Sequence, residues 1–286
     1  MAFSTDGTIC SWKELITKQS KYDVTSQEWI FRGQARDWPL ASLLERTCKN
    51  FGARAGPSIP FMERQFIGDF KRHYSKYMPQ LSPPSDDTQQ WLSLMRHYGA
   101  PTRLLDFTFS FFVAAYFALE DGEGKSVLWA INKSWLTDHA RQLFGRIGGE
   151  ALLKAWQNRE PWAFNKVFLE RRPALTFVCA GNPYRLHERL AEQQALSLCP
   201  GDVTKSFEQN LRAVDGHDSR KNVVKIPIIG KNVRKEILHK LYRAGVHRAF
   251  LFPGLEGFAQ SLRYKTPTYL SIRAMGKKKA RFWPTQ

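Results

Sequence analysis

"EWIFRGQARDW", residues 28–38, is the stretch whose reading decides the fold. Trp29, Ile30 and Phe31 form an apolar run that is too short for a helix and is closed by Arg32 and Gly33. Short β-branched and aromatic runs bounded by glycine read as strands, so the spacing predicts a buried strand ending at Gly33. An arginine at the end of such a strand, followed by a glycine and then by Arg36, needs a reason beyond packing.

Outward from that strand the chain alternates helical and extended patterns. "SWKELITKQS" reads as a helix capped by Ser11, with Glu14 completing a capping box. "PLASLLERTCKN" starts on a proline and carries helical spacing at Leu40, Leu43 and Leu44. "FMERQFIGDFKRHYSKYM" is a stronger helix, with Phe61, Phe66, Phe70 and Tyr74 near one face. "TQQWLSLMRHYG" turns Trp91, Leu92 and Met95 inward and stops at Gly99. "FSFFVAAYFALE" is an apolar helix and "KSVLWAI" a buried strand. Residues 134–175 are mostly helical and aromatic-rich, an insertion on a core made of 28–133 and 176–260. Strand patterns return at "ALTFVCA", "ALSLC", "NVVKIPIIG" and "RAFLFP", with an amphipathic helix, "VRKEILHKLYRAGV", between the last two. Residues 271–286 are a basic tail. Short strands separated by helices imply an α+β fold, one domain built on a mixed sheet with several helices.

The totals restrict function. Forty-three Lys and Arg against 26 Asp and Glu leave a net charge of +17 on 286 residues. A field of that sign favours a polyanionic partner: RNA, DNA, a dinucleotide or an acidic protein. No apolar run approaches the ~20 residues of a membrane helix. The first residues, "MAFSTDGTIC", lack the basic and apolar regions of a secretory signal. Cys10, Cys48, Cys179 and Cys199 are far apart and form no C-x-x-C pair, which suits reduced thiols of a cytoplasmic protein. The histidines never take zinc-site spacing, so no metal site is expected. Serine hydrolases, P-loop NTPases and Rossmann dehydrogenases are poorly supported, because their glycine-rich motifs are missing.

The densest stretch for chemistry is "MRHYGAPTRLLDFTFSFFVAAYFALE", residues 95–120. Gly99 and Pro101 force a turn, and Arg103 and Asp106 are spaced to pair with each other. Thr108 and Ser110 place hydroxyls just before a helix, where free N–H groups suit a phosphate or ribose; Thr108 can equally be a plain helix cap. His97 beside Tyr98 reads as a proton carrier, a stacking site or an ordinary helix-end residue. Arg32, likewise, is either a ligand-binding group or one half of a structural ion pair with a buried acid such as Asp106.

"FRGQ" at 31–34, "HYGAPTRLLDFT" at 97–108, "AAYFA" at 114–118 and "LFPGLEG" at 251–257 together resemble the FRG domain family, which implies a single domain over 1–270 and a setting in bacterial phage defence. A second, more distant resemblance is to ADP-ribosyltransferases of the Arg–Ser–Glu type, in the order "FRG", "FTFSFFVAAYFA" and "EQQALSLCPG". It implies an ADP-ribosyltransferase-like core with NAD as substrate. Arg32 matches the aromatic-Arg-Gly element, Thr108 and Ser110 the hydroxyl strand, and Glu192 the first acid of an E-x-E strand whose second position holds Gln194.

The chemistry that this resemblance implies explains the residue types. An arginine fork grips a pyrophosphate through paired hydrogen bonds, as a lysine cannot. Gly33 would let the ligand approach the main chain. Hydroxyls of Thr108 and Ser110 would hold ribose, and Tyr98 and Tyr116, with His97, would line the nicotinamide site. A carboxylate would stabilise the oxocarbenium-like charge. Gln194 can bond a ribose hydroxyl but supplies no charge, so Glu192 and Glu256 are the acidic candidates. The expectation is an NAD-dependent toxin or defence effector that modifies a nucleic acid or an acidic protein, with an antitoxin as a further partner. The alternative is a non-catalytic nucleic-acid-binding module using the basic helices near 61–78 and 231–248. A metal-independent nuclease built on His97 ranks last.

Overall fold

The computed structural model describes residues 3–23, 26–52, 58–78, 82–122, 125–181 and 188–262, with main chain alone for Glu188, Arg189 and Lys231. The basic stretch 271–286 lies outside the described residues.

The elements, in chain order, are β1 (Ser4–Thr5), α1 (Trp12–Asp23), β2 (Trp29–Gln34), α2 (Leu43–Asn50), α3 (Ser58–Tyr77), α4 (Thr88–His97), β3 (Leu105–Thr108), α5 (Phe111–Glu120) and β4 (Lys125–Asn132). There follow α6 (Lys133–Gln157), α7 (Pro161–Phe164) running into a π-helical turn (Asn165–Glu170), β5 (Val178–Gly181), α8 (Glu188–Glu192), β6 (Ala195–Pro200), α9 (Phe207–Arg212), β7 (Val223–Ile229), α10 (Lys231–Arg243) and α11 (Arg248–Leu251). A last helix covers 255–262.

The strands form one mixed seven-stranded sheet in the order β1-β7-β4-β2-β3-β6-β5, so the chain is α+β. β1 runs parallel to β7, and the other neighbours are antiparallel. Helices cover both faces. Successive strand residues point to opposite sides. Val127, Trp129 and Ile131 of β4 therefore pack among α4, α6 and α7, while Leu128 and Ala130 pack among α1, α5 and α10. Burial on both sides explains why "KSVLWAI" reads as a continuous apolar run rather than an alternating one.

β2 pairs with β4 along its whole length, from Trp29↔Asn132 to Gln34↔Val127. The indole N–H of the fully buried Trp129 donates to Gln34 Oε1 at 2.8 Å, satisfying a polar atom that would otherwise oppose burial. Gly33 is fixed by packing. A Cβ there would lie 2.0 Å from the carbonyl oxygen of Ala114 and 2.5 Å from the nitrogen of Ala118. The missing side chain lets α5 lie directly on β2.

Several sequence expectations need correction. α2 begins at Leu43, not at the proline, because Ser42 Oγ accepts from Glu45 N at 3.1 Å and caps it. "RAFLFP" is helical rather than extended: Gly245, at φ 84, ends α10, and His247 Nδ1 accepts from Phe250 N to start α11. On α3, Phe61 is 56% exposed, whereas Glu63 is buried along with Ile59, Ile67 and Tyr74. The helix is rotated to deliver Glu63 to Arg103. Arg103 Nε donates to Glu63 Oε1 at 2.7 Å, Nη2 bonds the second oxygen, and Nη1 donates to the carbonyls of Phe168 (3.2 Å) and Pro200 (3.3 Å). Arg103 therefore does not pair with Asp106.

The four cysteines are free thiols, with Cys48, Cys179 and Cys199 buried. Among the described residues no helix is long and apolar enough to cross a membrane.

Candidate functional site

The site arises where two strands part. β2 pairs with β3 only at Phe31↔Thr108, while β3 continues alongside β6 from Leu105↔Leu198 to Thr108↔Ala195. Beyond that rung the strands leave a pocket of about 240 Å³. Arg32 and Gly33 line it from β2, Asp106 and Thr108 from β3, Arg96 from the end of α4, Phe117 from α5, and Gln193 from the turn before β6.

Arg32 bridges the parting. Its Nη1 donates to the main-chain oxygen of Asp106 at 2.7 Å. Its Nε is buried and has no hydrogen-bond partner. The Asp106 carboxylate is engaged elsewhere: it accepts from Arg96 Nη2 at 2.6 Å and from Ser197 Oγ at 3.3 Å. The Nε of Arg96 is also buried without a partner. Burial lowers the pKa of Arg32 to about 10; Asp106 opposes the shift and Arg96 and Arg46 add to it. Burial and the charge of Arg96 also lower that of Arg46, and Glu45 opposes the shift. Arg32 and Arg96 thus lie beside Asp106, the acid that lines the pocket, while Arg46 is offset by Glu45. Two arginines beside one lining carboxylate leave the pocket with excess positive charge and two unspent donors, the Nε atoms of Arg32 and Arg96. A phosphate supplies both the charge and the acceptor oxygens that this arrangement lacks.

The other residues singled out from the sequence are distributed as follows. Thr108 lines the pocket, but its hydroxyl donates to the carbonyl of Gln193 at 2.7 Å and accepts from Ser110 N at 3.0 Å. That hydroxyl ties β3 to the turn before β6. Ser110 is the N-cap of α5, its Oγ accepting from Val113 N at 3.3 Å. Tyr116 is buried, and its hydroxyl donates to Glu120 Oε1 at 2.8 Å; the same oxygen receives Arg248 at 2.5 Å. His97 and Tyr98 meet edge to face, 4.8 Å between centroids, at the end of α4, with Tyr98 exposed. Glu192 ends α8, and Gln194 sits exposed in a left-handed turn at φ 45. This pair therefore precedes β6 instead of lying on it. Glu256 is exposed on the 255–262 helix and accepts from Gln260 Nε2 at 2.9 Å. None of Ser110, Tyr116, His97, Tyr98, Glu192, Gln194 and Glu256 lines the pocket.

Sequence reasoning missed Arg96 and Gln193. Arg96 reads as one more basic residue at a helix end. Gln193 lies between two residues that were singled out, yet it is the one turned inward, with its Nε2 donating to the carbonyl of Leu251 at 2.9 Å. The usable signal was the proximity of Arg96 to the turn "HYGAPT", which returns the chain to β3.

The FRG domain family matches residues 27–126. The chain carries an FRG domain. The matched segment holds β2, α4, β3 and α5, and with them Arg32, Arg96, Asp106 and Thr108. The FRG segment thus supplies every charged side chain of the pocket, while Gln193 and Ala195 are added from later in the chain. No curated protein and no solved structure matches the chain.

Proposed function

We propose that the Arg32 pocket binds the phosphates of a nucleotide, and that the chain is an NAD-dependent enzyme of the ADP-ribosyltransferase type. The observation that carries this reading is the buried, unpartnered Nε of Arg32 beside Arg96 in an open pocket. An ADP-ribosyltransferase-like core is supported by the parting of β2 from β3 around an arginine at the strand end. Phosphate oxygens would take the free edges of Arg32 and Arg96. Asp106 is the carboxylate that lines the pocket, so the acidic role falls to it rather than to Glu192 or Glu256. Engagement of Arg96 by a phosphate would loosen its hold on Asp106 and leave that carboxylate to face developing positive charge on the ribose. The acceptor, on this reading, is a nucleic acid or an acidic protein surface, in keeping with the charge of +17. A role as a toxin or phage-defence effector is part of the same proposal and rests on the resemblance to the FRG domain family.

Incubation with NAD tests the proposal. Release of nicotinamide that is lost in Arg32→Ala supports it; no nicotinamide release together with no NAD-induced rise in melting temperature overturns it.

The second reading, a nucleic-acid-binding module, is favoured by the exposed face of α3, where Arg64, Arg72, His73 and Lys76 accompany the exposed rings of Phe61 and Tyr77. It predicts RNA binding that weakens steeply with salt and is indifferent to NAD.

A further inference from the structure

A second cavity, of about 400 Å³, opens where α6 meets β5 and the turn into α7, and it shares no lining residue with the Arg32 pocket. Phe109 and Trp156 contribute aromatic walls and Arg159 contributes positive charge, whereas Lys133 is ion-paired with Glu28 and Arg141 with Asp138 at 3.5 Å. The Lys133 ammonium lies 5.6 Å from the centre of the Phe109 ring. The cavity's acid, Glu160, is occupied by the indole N–H of Trp162 at 2.6 Å.

Arg159 is the informative residue. It ends α6 in the left-handed conformation, φ 58, with its N–H on the carbonyl of Trp156 at 3.1 Å. Helix ends of this kind favour glycine, whose missing Cβ removes the strain. Here an exposed arginine holds the position, and it has no ion-pair partner among the described residues. A strained main chain that presents an uncommitted cation at the lip of an aromatic cavity points to a ligand.

We propose that this cavity binds a nucleotide unit, with its base against Phe109 and Trp156 and its phosphate at Arg159. Aromatic faces stack any base, and guanidinium groups grip phosphate. The volume lies within the range of small-molecule sites, about 300–1,000 Å³. The same unit is available as a free mononucleotide or within a single strand of nucleic acid. This inference stands apart from the reading of the Arg32 pocket.

Calorimetric titration of the full chain with adenosine monophosphate, a short single-stranded oligoadenylate and inorganic phosphate tests it, using the parent, Arg159→Gly and Arg32→Ala. Arg159→Gly relieves the strained turn, so its melting temperature is expected to hold or rise while mononucleotide affinity falls at least about tenfold, the loss of one charge-assisted contact. Arg32→Ala is expected to keep that affinity. Tighter binding of the mononucleotide than of the oligomer identifies the free nucleotide as the source, and the reverse order identifies the strand. The proposal is overturned if Arg159→Gly binds adenosine monophosphate as the parent does, if the parent prefers inorganic phosphate, or if Arg32→Ala alone abolishes binding.

Discussion

Arg32 Nη1 donates to the main-chain oxygen of Asp106 at 2.7 Å, while the carboxylate of the same aspartate is held by Arg96 at 2.6 Å. Arg32 is thus positioned by a backbone group and not neutralised by a side chain. Removing it should leave the Asp106–Arg96 pair in place and cost about 1–3 kcal/mol for the stranded carbonyl. Arg32→Ala is expected to stay folded by circular dichroism and to lose nicotinamide release. Arg32→Lys keeps the charge but not the fork, so its turnover of NAD should fall by at least about tenfold. Equal activity in parent and lysine variants, read by chromatography of the released base, would show that the planar donor set is unimportant.

Gly33 sets the distance between β2 and α5. Its absent Cβ would meet main-chain atoms of Ala114 and Ala118, which cannot rotate away as a flexible side chain could. Gly33→Ala should therefore force α5 off the sheet and lower stability by about 3 kcal/mol, the upper end for overpacking. Chemical denaturation measures this directly. A variant as stable as the parent would mean that α5 packs less closely than described.

The buried Arg103–Glu63 pair gives a sharper test. Both side chains are almost fully enclosed, and Arg103 also satisfies two carbonyls. Glu63→Gln leaves a buried guanidinium without its counter-charge and should cost about 3–5 kcal/mol. Replacing both partners with methionine should destabilise less than the two single changes added together, since no charge is then stranded. Additive losses in the double-mutant cycle would assign the cost to packing alone.

Long apolar periodicity made much of this fold legible. β4, β6 and β7, and helices α1, α4, α5 and α10, announce themselves because their buried faces are wide. β3 does not: "LDFT" is four residues long, and its identity as a strand depends on pairing with β6 some ninety residues later in the chain. The same non-local pairing decides that β2 and β3 touch at one rung only, so no local pattern could reveal the pocket. Arg32 stood out because a charge closing an apolar strand conflicts with its surroundings. Arg96, Arg159 and Glu63 sit in ordinary helical patterns, where nothing local distinguishes a buried or strained side chain from a solvated one. "RAFLFP" has strand composition, but a cap at His247 and the stop at Gly245 outweigh it.

Asp6 anchors the N-terminal segment to α1 and provides a pH-dependent prediction. Burial alone would raise its pKa. Hydrogen bonds from Lys21 (2.8 Å), Lys18 (3.0 Å) and Tyr22 (3.0 Å) outweigh that and lower it from 3.8 to about 2. A carboxylate with a depressed folded-state pKa contributes stability that is complete above its unfolded value. That contribution disappears as pH falls through the folded value. Asp6→Asn should therefore lower stability at neutral pH by about 1 kcal/mol, allowing for the screening of a partly exposed group. The difference from the parent should narrow below about pH 4 and vanish only below about pH 2, once the group is protonated in both states. Denaturation curves across that window check it. A difference that stays constant from pH 7 to pH 2 would assign the effect to the shape of the side chain and remove the ion pairs from the account.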